Sequence, residues 1–397
     1  MRTIWLMRAD WKRLCDRQDI EEVLRHFDPL EDPRSSIHRR HPLGRVLVIA
    51  IMAVIAGANG PTAIAQWARM KESFLKNWLP LPHGIPSKDV FRRVLMALKP
   101  EAFQACFAEW LASLRARAAE ATGVERPTLA VDGKTLRRSH DRGKGLGALH
   151  AVSVWASEYG LTLAQVATDE KSNEITAIPQ ALELVDLKGA IVTIDAMGAQ
   201  AAIAEQVVEG GGDYVLALKG NQGTLYEATV EYIEEQSKND YRGIGARRWE
   251  TKETAHGRTE SRTYIQMPAP KDLPGAGRWA GLLSVGMAIL HSIRGGRETF
   301  EVRYFISSLP VKVKQFARAV RNHWGIENTC HWCLDVTYRE DESRIREVHL
   351  RENFAWLNRF SLSLLKQDRS KASIAMKRRA CSWNENYMLE VLTGTTN

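Results

Sequence analysis

The sequence is poor in cysteine. Five thiols among 397 residues, odd in number and widely scattered, do not make a disulfide framework, and a reducing cytoplasm is the expected compartment. It also lacks a long apolar run. The longest, Val46 to Ala58, covers 13 residues, whereas a bilayer needs about 20. The opening "MRTIWLMRADWKRL" returns to charge before a secretory signal could form its apolar core, so no membrane partner is expected. No repeat or low-complexity tract stands out. "GGGD" at 210–213 lacks the Gly-Lys-Ser/Thr of a phosphate loop, which leaves no nucleotide cofactor. Charge of one sign is not dominant either. The 55 basic and 47 acidic residues leave +8, a balance that favours a polyanionic partner without demanding one.

What is present divides by period. Apolar residues recur at helical spacing over 1–30 and in four further segments up to residue 122, with Pro61 and Pro100 in first turns and Ser87 as a cap. Residues 100–122 read as one helix. From residue 128 the order is strand, strand, strand, helix, strand, helix, strand, an α/β layer with a hairpin turning at Tyr159-Gly160. Residues 221–314 begin with a helix and continue in alternating, β-rich segments. The helical period returns at Val313. The expected division is 1–122, 123–220, 221–314 and 315–397.

Asp132 ends the apolar run "TLAV" and Asp195 ends "AIVTI", 63 residues further on. Either could be an ordinary turn or cap aspartate. Two of them, each where a buried strand emerges from an open α/β sheet, form the more specific pattern. Carboxylates held together repel unless a cation lies between them, and oxygen-only pockets suit magnesium or manganese. A third acid would complete a two-ion site for phosphoryl transfer. "RNHWGIENTCHWCLDV" (321–336) supplies a candidate. Four-residue spacing puts His323, Glu327 and His331 on one helical stripe, with Asp335 continuing it. A solvated helix edge is the plainer alternative.

Cys330 and Cys333 spell C-x-x-C, but no second pair completes a structural zinc site. The motif falls within a helix, not at its start, so buried thiols are expected. Basic residues follow Asp132 (Lys134, Arg137, Arg138, Arg142, Lys144) and precede Glu327 (Lys312, Lys314, Arg318, Arg321). Such runs are commonly solvated surface, but their position beside the acids points to phosphate. Trp324 and Trp332 could stack on bases or pack in the core.

"LAVDGKTLRRS", "TIDAMG", "LALKGNQ", "HGRTESR" and "RNHWGIENTCHWCLDVTYRED" occur in that order. With "HPLGRVLVIAIMAVIAGANG" and "HGIPSKDVFRRVLMALKPEAF" before them, they resemble insertion-sequence transposases with a DDE triad, in the branch of the H-repeat-associated proteins. The likeness spans roughly residues 20–370. It implies an RNase H-like mixed sheet flanked by helices, a β-rich insertion before the last catalytic helix, and a helical N-terminal domain for DNA-end recognition or dimerisation. It implies Asp132, Asp195 and Glu327 as catalytic residues holding two Mg2+ (or Mn2+) ions. The implied reaction is cleavage at transposon ends and strand transfer. The implied partners are double-stranded DNA with terminal inverted repeats, target DNA and a second subunit, in a bacterial cytoplasm. A structure-specific nuclease or a catalytically dead DNA-binding remnant are the alternatives.

DNA contacts are expected from Lys134, Arg137 and Arg138, from Lys219 and Asn221, and from Arg321, His323, Trp324, Asn328 and His331. In one respect the chain departs from the broader group. Where those proteins carry tyrosine, arginine and lysine around the glutamate, this chain has Val320, His323 and Leu334.

Overall fold

A computed structural model describes residues 19–37, 39–168, 174–255 and 257–395. The helix expected over 1–30 is seen only at 19–25, and residues 1–18 lie outside the described residues. Next comes α1 (Leu43–Ile55), apolar and buried on nearly every face. The chain leaves it through Gly57, whose φ of 116° suits a residue without Cβ. Helices α2 (Pro61–Met70), α3 (Glu72–Trp78) and α4 (Lys88–Ala97) follow. Ser87 holds the N-cap position of α4, but its hydroxyl makes no capping bond. The single helix expected over 100–122 is two, α5 (Pro100–Ala105) and α6 (Ala108–Thr122). Phe107, at the break, is fully buried and packs its ring against Phe27, Phe103, Trp356 and Phe360. The break lets this ring enter an aromatic cluster drawn from both ends of the chain.

Strands β1 (Thr128–Leu136), β2 (Leu149–Ala156) and β3 (Leu161–Thr168) form an antiparallel meander. Helix α7 (Glu174–Glu183) leads to β4 (Ile191–Ile194), and α8 (Ala201–Glu209) leads to β5 (Asp213–Leu218). β4 lies parallel to β1, and β5 parallel to β4. This is the mixed, RNase H-like sheet that was expected. After α9 (Gly223–Ser237) come β6 (Arg247–Ala255), β7 (Arg258–Pro268), β8 (Ser284–Arg294) and β9 (Arg297–Ser307). These four strands do not form a separate sheet. β9 pairs antiparallel with β5, giving one nine-stranded sheet in the order β3-β2-β1-β4-β5-β9-β8-β7-β6.

The last part is helical. α10 (Val313–Gly325) runs into a π-helical segment (Ile326–His331) and then α11 (Trp332–Val336). α12 (Val348–Gln367) is buried along most of its length, packed against α1, α4 and β3. α13 (Ile374–Trp383) and α14 (Glu385–Thr393) close the chain. One continuous apolar core joins the N-terminal helices, the sheet and α12. No helix among the described residues is long and apolar enough to cross a membrane.

Candidate active site

The site begins with strand register. Val131 of β1 lies opposite Ile194 of the parallel strand β4, so the next residues, Asp132 and Asp195, stand side by side. Asp195 follows the end of β4, but Asp132 is not at a strand end as expected, because β1 continues to Leu136 against β2. Neighbouring strands run about 4.8 Å apart, which explains how acids 63 positions apart in sequence become neighbours. One oxygen of Asp195 accepts the backbone N–H groups of Met197 and Gly198, both at 3.1 Å. This aspartate therefore also does the ordinary work of a turn. Gly198 is needed there, because a Cβ would stand 2.5 Å from Ile178 and 2.6 Å from Ile194.

Glu327 comes to the aspartates from the helical layer. It is exposed and sits in the π-helical segment, a local widening by one residue that often marks functional sites. Glu327 and Asp195 line one cavity of about 170 Å³ together with Lys219, Arg303, His323 and Trp324. Burial pushes the Asp132 carboxyl up to about 7, and the nearby charges of Glu327, then Asp195 and Glu174, push the same way. The backbone N–H of Gly133 pulls against them. A buried aspartate whose ionisation is opposed by neighbouring acids is a group a cation would relieve. Their oxygens are the donor set for magnesium or manganese. Among the described residues, no three His, Cys, Asp or Glu side chains stand close enough to grip one ion as arranged.

The two histidines of the expected stripe separate. His323 bonds Thr193 on β4 (3.1 Å), and burial drives its pKa down to about 4. Nδ1 of His331 lies 3.5 Å from Asp132, its side chain 13% exposed, and burial pushes its pKa down to about 3. The widened π turn lets one helix set a histidine beside each aspartate strand. Both are neutral near pH 7, so neither offers a phosphate a positive charge. Val320 and Leu334, at the other two departures from the broader pattern, are core residues.

Lys134, expected at a phosphate, is 7% exposed. Its ammonium contacts Asp335 at 2.6 Å and Asp341 at 3.1 Å, with Glu340 4.0 Å away. It shares a face of β1 with Asp132, two residues away, and is turned into the protein. Arg137 and Arg138 are exposed, though Arg137 contacts Asp341 at 3.2 Å. Lys219 is exposed at the cavity. Asn221 gives its amide to the carbonyl of Ala196 (2.6 Å), bracing the loop after Asp195. Arg321 is exposed, 3.5 Å from Glu253. Asn328 is exposed and bonds back to the Trp324 carbonyl. Trp324 lies under the Arg303 guanidinium, 4.1 Å from the ring centre. Cys330 and Cys333 are buried in the main core.

Several residues at the site were not singled out from the sequence. Arg303, in the inserted β9, reaches the cavity only because β9 joins the sheet beside β5. His150 and Glu174 form a buried pair at 2.7 Å behind Gly133, and a Cβ on Gly133 would stand 2.4 Å from both. "NEI" at 173–175 and "RED" at 339–341 carried the local signal, an acid at a helix start and an acid pair after a helix end.

Comparison with known proteins identifies the family. A model described as Transposase DDE domain matches residues 123–364, and one described as DDE_Tnp_1-associated matches 24–111. The H repeat-associated putative transposase YhhI of Escherichia coli K12 is 35% identical over 95% of this chain and 99% of its own length. Putative transposase YncI of Escherichia coli O157:H7 is 37% identical over 94% and 95%. Among solved structures, a piggyBac transposase synaptic complex with hairpin DNA aligns with 95% of this chain and 80% of that one. The TM-score is 0.38 and the identity 10%. The chain belongs to the family of transposases that carry the DDE domain.

Proposed function

We propose that this chain cuts DNA at the ends of a mobile element and joins those ends to target DNA, using Asp132, Asp195 and Glu327. The observation that carries the reading is the register of β1 and β4. It sets two carboxylates side by side under a glutamate-bearing helix, inside the segment matched by the DDE domain. The three acids would hold two magnesium or manganese ions, whose chemistry is to activate water or a DNA 3′-hydroxyl and to stabilise the leaving oxygen. The chain's own residues orient that site. Asp195 is fixed by two backbone N–H groups, the loop after it by Asn221, and Asp132 by its strand. Lys219, Arg137, Arg138 and Arg321 are the exposed cations available to the DNA backbone. The working assembly is a homodimer on inverted-repeat DNA, in the cytoplasm, with residues 1–122 serving end recognition or dimerisation.

The test is cleavage of end DNA in magnesium. Asp132→Ala, Asp195→Ala and Glu327→Ala should each abolish nicking and leave DNA binding in a gel-shift assay largely intact. The acids serve the metal and the exposed cations serve phosphate. Wild-type nicking by any one of the three would remove that residue from the site.

A further inference from the structure

Beside the carboxylates lies a partly buried ionic network that the proposed chemistry does not use. Lys134 contacts Asp335 of α11 (2.6 Å) and Asp341 (3.1 Å), with Glu340 4.0 Å away. Glu340 and Arg359 are both fully buried and pair at 2.9 Å. Arg359 also donates from Nε to the Ser153 hydroxyl at 3.1 Å. Ser153 is the cross-strand partner of Asp132. The network thus begins two residues after Asp132, crosses to the helix that follows Glu327, passes through α12 and returns to the strand beside Asp132.

We infer that Lys134, through Asp335 and the Glu340–Arg359 pair, is a positioning residue that sets the Glu327 helix against the Asp132 strand. This rests on the proposed reading of the three acids. The geometry supports it in two ways. The connection spans the two elements whose spacing decides whether Asp132 and Glu327 can share an ion. Lys134, Glu340 and Arg359 are also buried, with Asp335 and Asp341 part-exposed at the edge, and charged groups are rarely placed so deep unless paired. Glu327 lies in a π-helical segment, whose register with the rest of the helix is not held by the usual hydrogen-bond ladder. Lys134 and Asp335 fix the helix just beyond that segment.

The experiment measures manganese binding and cleavage on the same variants. Partners that orient metal ligands typically cost about 10–100-fold in metal affinity or activity when removed. Lys134→Met and Asp335→Asn should therefore raise the manganese concentration at half-maximal thermal stabilisation of the DNA-free protein by roughly 10-fold or more. Cleavage should fall with it and recover at high manganese, while end-DNA binding in chelator stays as in the wild type. Lys134→Arg should restore part of the manganese response. Weaker DNA binding by Lys134→Met in chelator, with a salt slope reduced by about one, would make Lys134 a phosphate contact and overturn the inference. Unchanged manganese dependence in a folded variant would also overturn it. If Lys134→Met does not fold, Asp335→Asn decides, because it leaves Lys134 its contact with Asp341. A wild-type protein that neither binds manganese nor cuts would instead remove the reading of the three acids.

Discussion

At the scale of single residues, the site depends on what is kept uncharged or undersized beside the acids. Gly133 and Gly198 leave room that no other side chain could share. His323 is the clearest titrating example. Burial, then the Arg303 charge, lower its pKa to about 4, while Asp195 pulls the other way. A histidine whose folded pKa lies below its unfolded 6.5 contributes stability that is complete above pH 6.5. That stability is lost as the pH falls towards 4, because the unfolded chain takes up the proton first. The metal-free protein should lose about 1.4 kcal/mol per pH unit from this group across that window. Urea midpoints between pH 7 and pH 4.5 measure it, and His323→Gln should flatten the slope. A variant that keeps the full slope would assign the loss to other groups.

Among elements, the six-residue π segment decides where its helix points. Regular α geometry would place His323, Glu327 and His331 on one narrow stripe. The wider turn lets His323 face β4 and His331 face β1, with Glu327 between them. Deleting the exposed Thr329 should restore an ordinary α turn, since a π bulge is one inserted residue. Residues beyond it would keep roughly their facing, because the bulge absorbs the extra residue, while Glu327 within the segment would turn away from the aspartates. Helical content by circular dichroism should stay close to that of the wild type while cleavage is lost. A deletion variant that cuts normally would show that the widened turn has no part in the site.

For the whole molecule, the N-terminal helices and the C-terminal helix α12 share one core. Phe107 and Trp110 pack on Phe360, and Asn353 of α12 donates to the carbonyls of Leu95 and Leu98. A chain beginning at residue 123 would expose Trp356, Phe360 and the adjoining face of α12. Burying one such aromatic side chain contributes roughly 1.5–3 kcal/mol, so the shortened chain should be insoluble or protease-sensitive. Limited proteolysis of the two forms compares them directly. A stable, soluble fragment would show that the core divides near residue 123. Recognition by residues 1–122 is therefore better tested by changing exposed cations such as Arg40 in the full chain.

The sequence by itself determined the order of elements from β1 to β5, the aspartates that follow two apolar runs and the helix glutamate, because each is a local pattern of period, turn and charge. Strand existence was equally plain for β7, β8 and β9. Tertiary structure alone decided that β9 would pair with β5, since an edge strand's partner depends on contacts distant in sequence. The break at Phe107 is of the same kind, set by aromatic rings from α12 more than 240 residues away in the chain. Lys134 shows the limit most plainly. A lysine two residues from an aspartate that ends an apolar run reads as a phosphate ligand until the fold brings Asp335 and Asp341 to it. Charge is visible in a sequence, but the partner that neutralises it is supplied by packing.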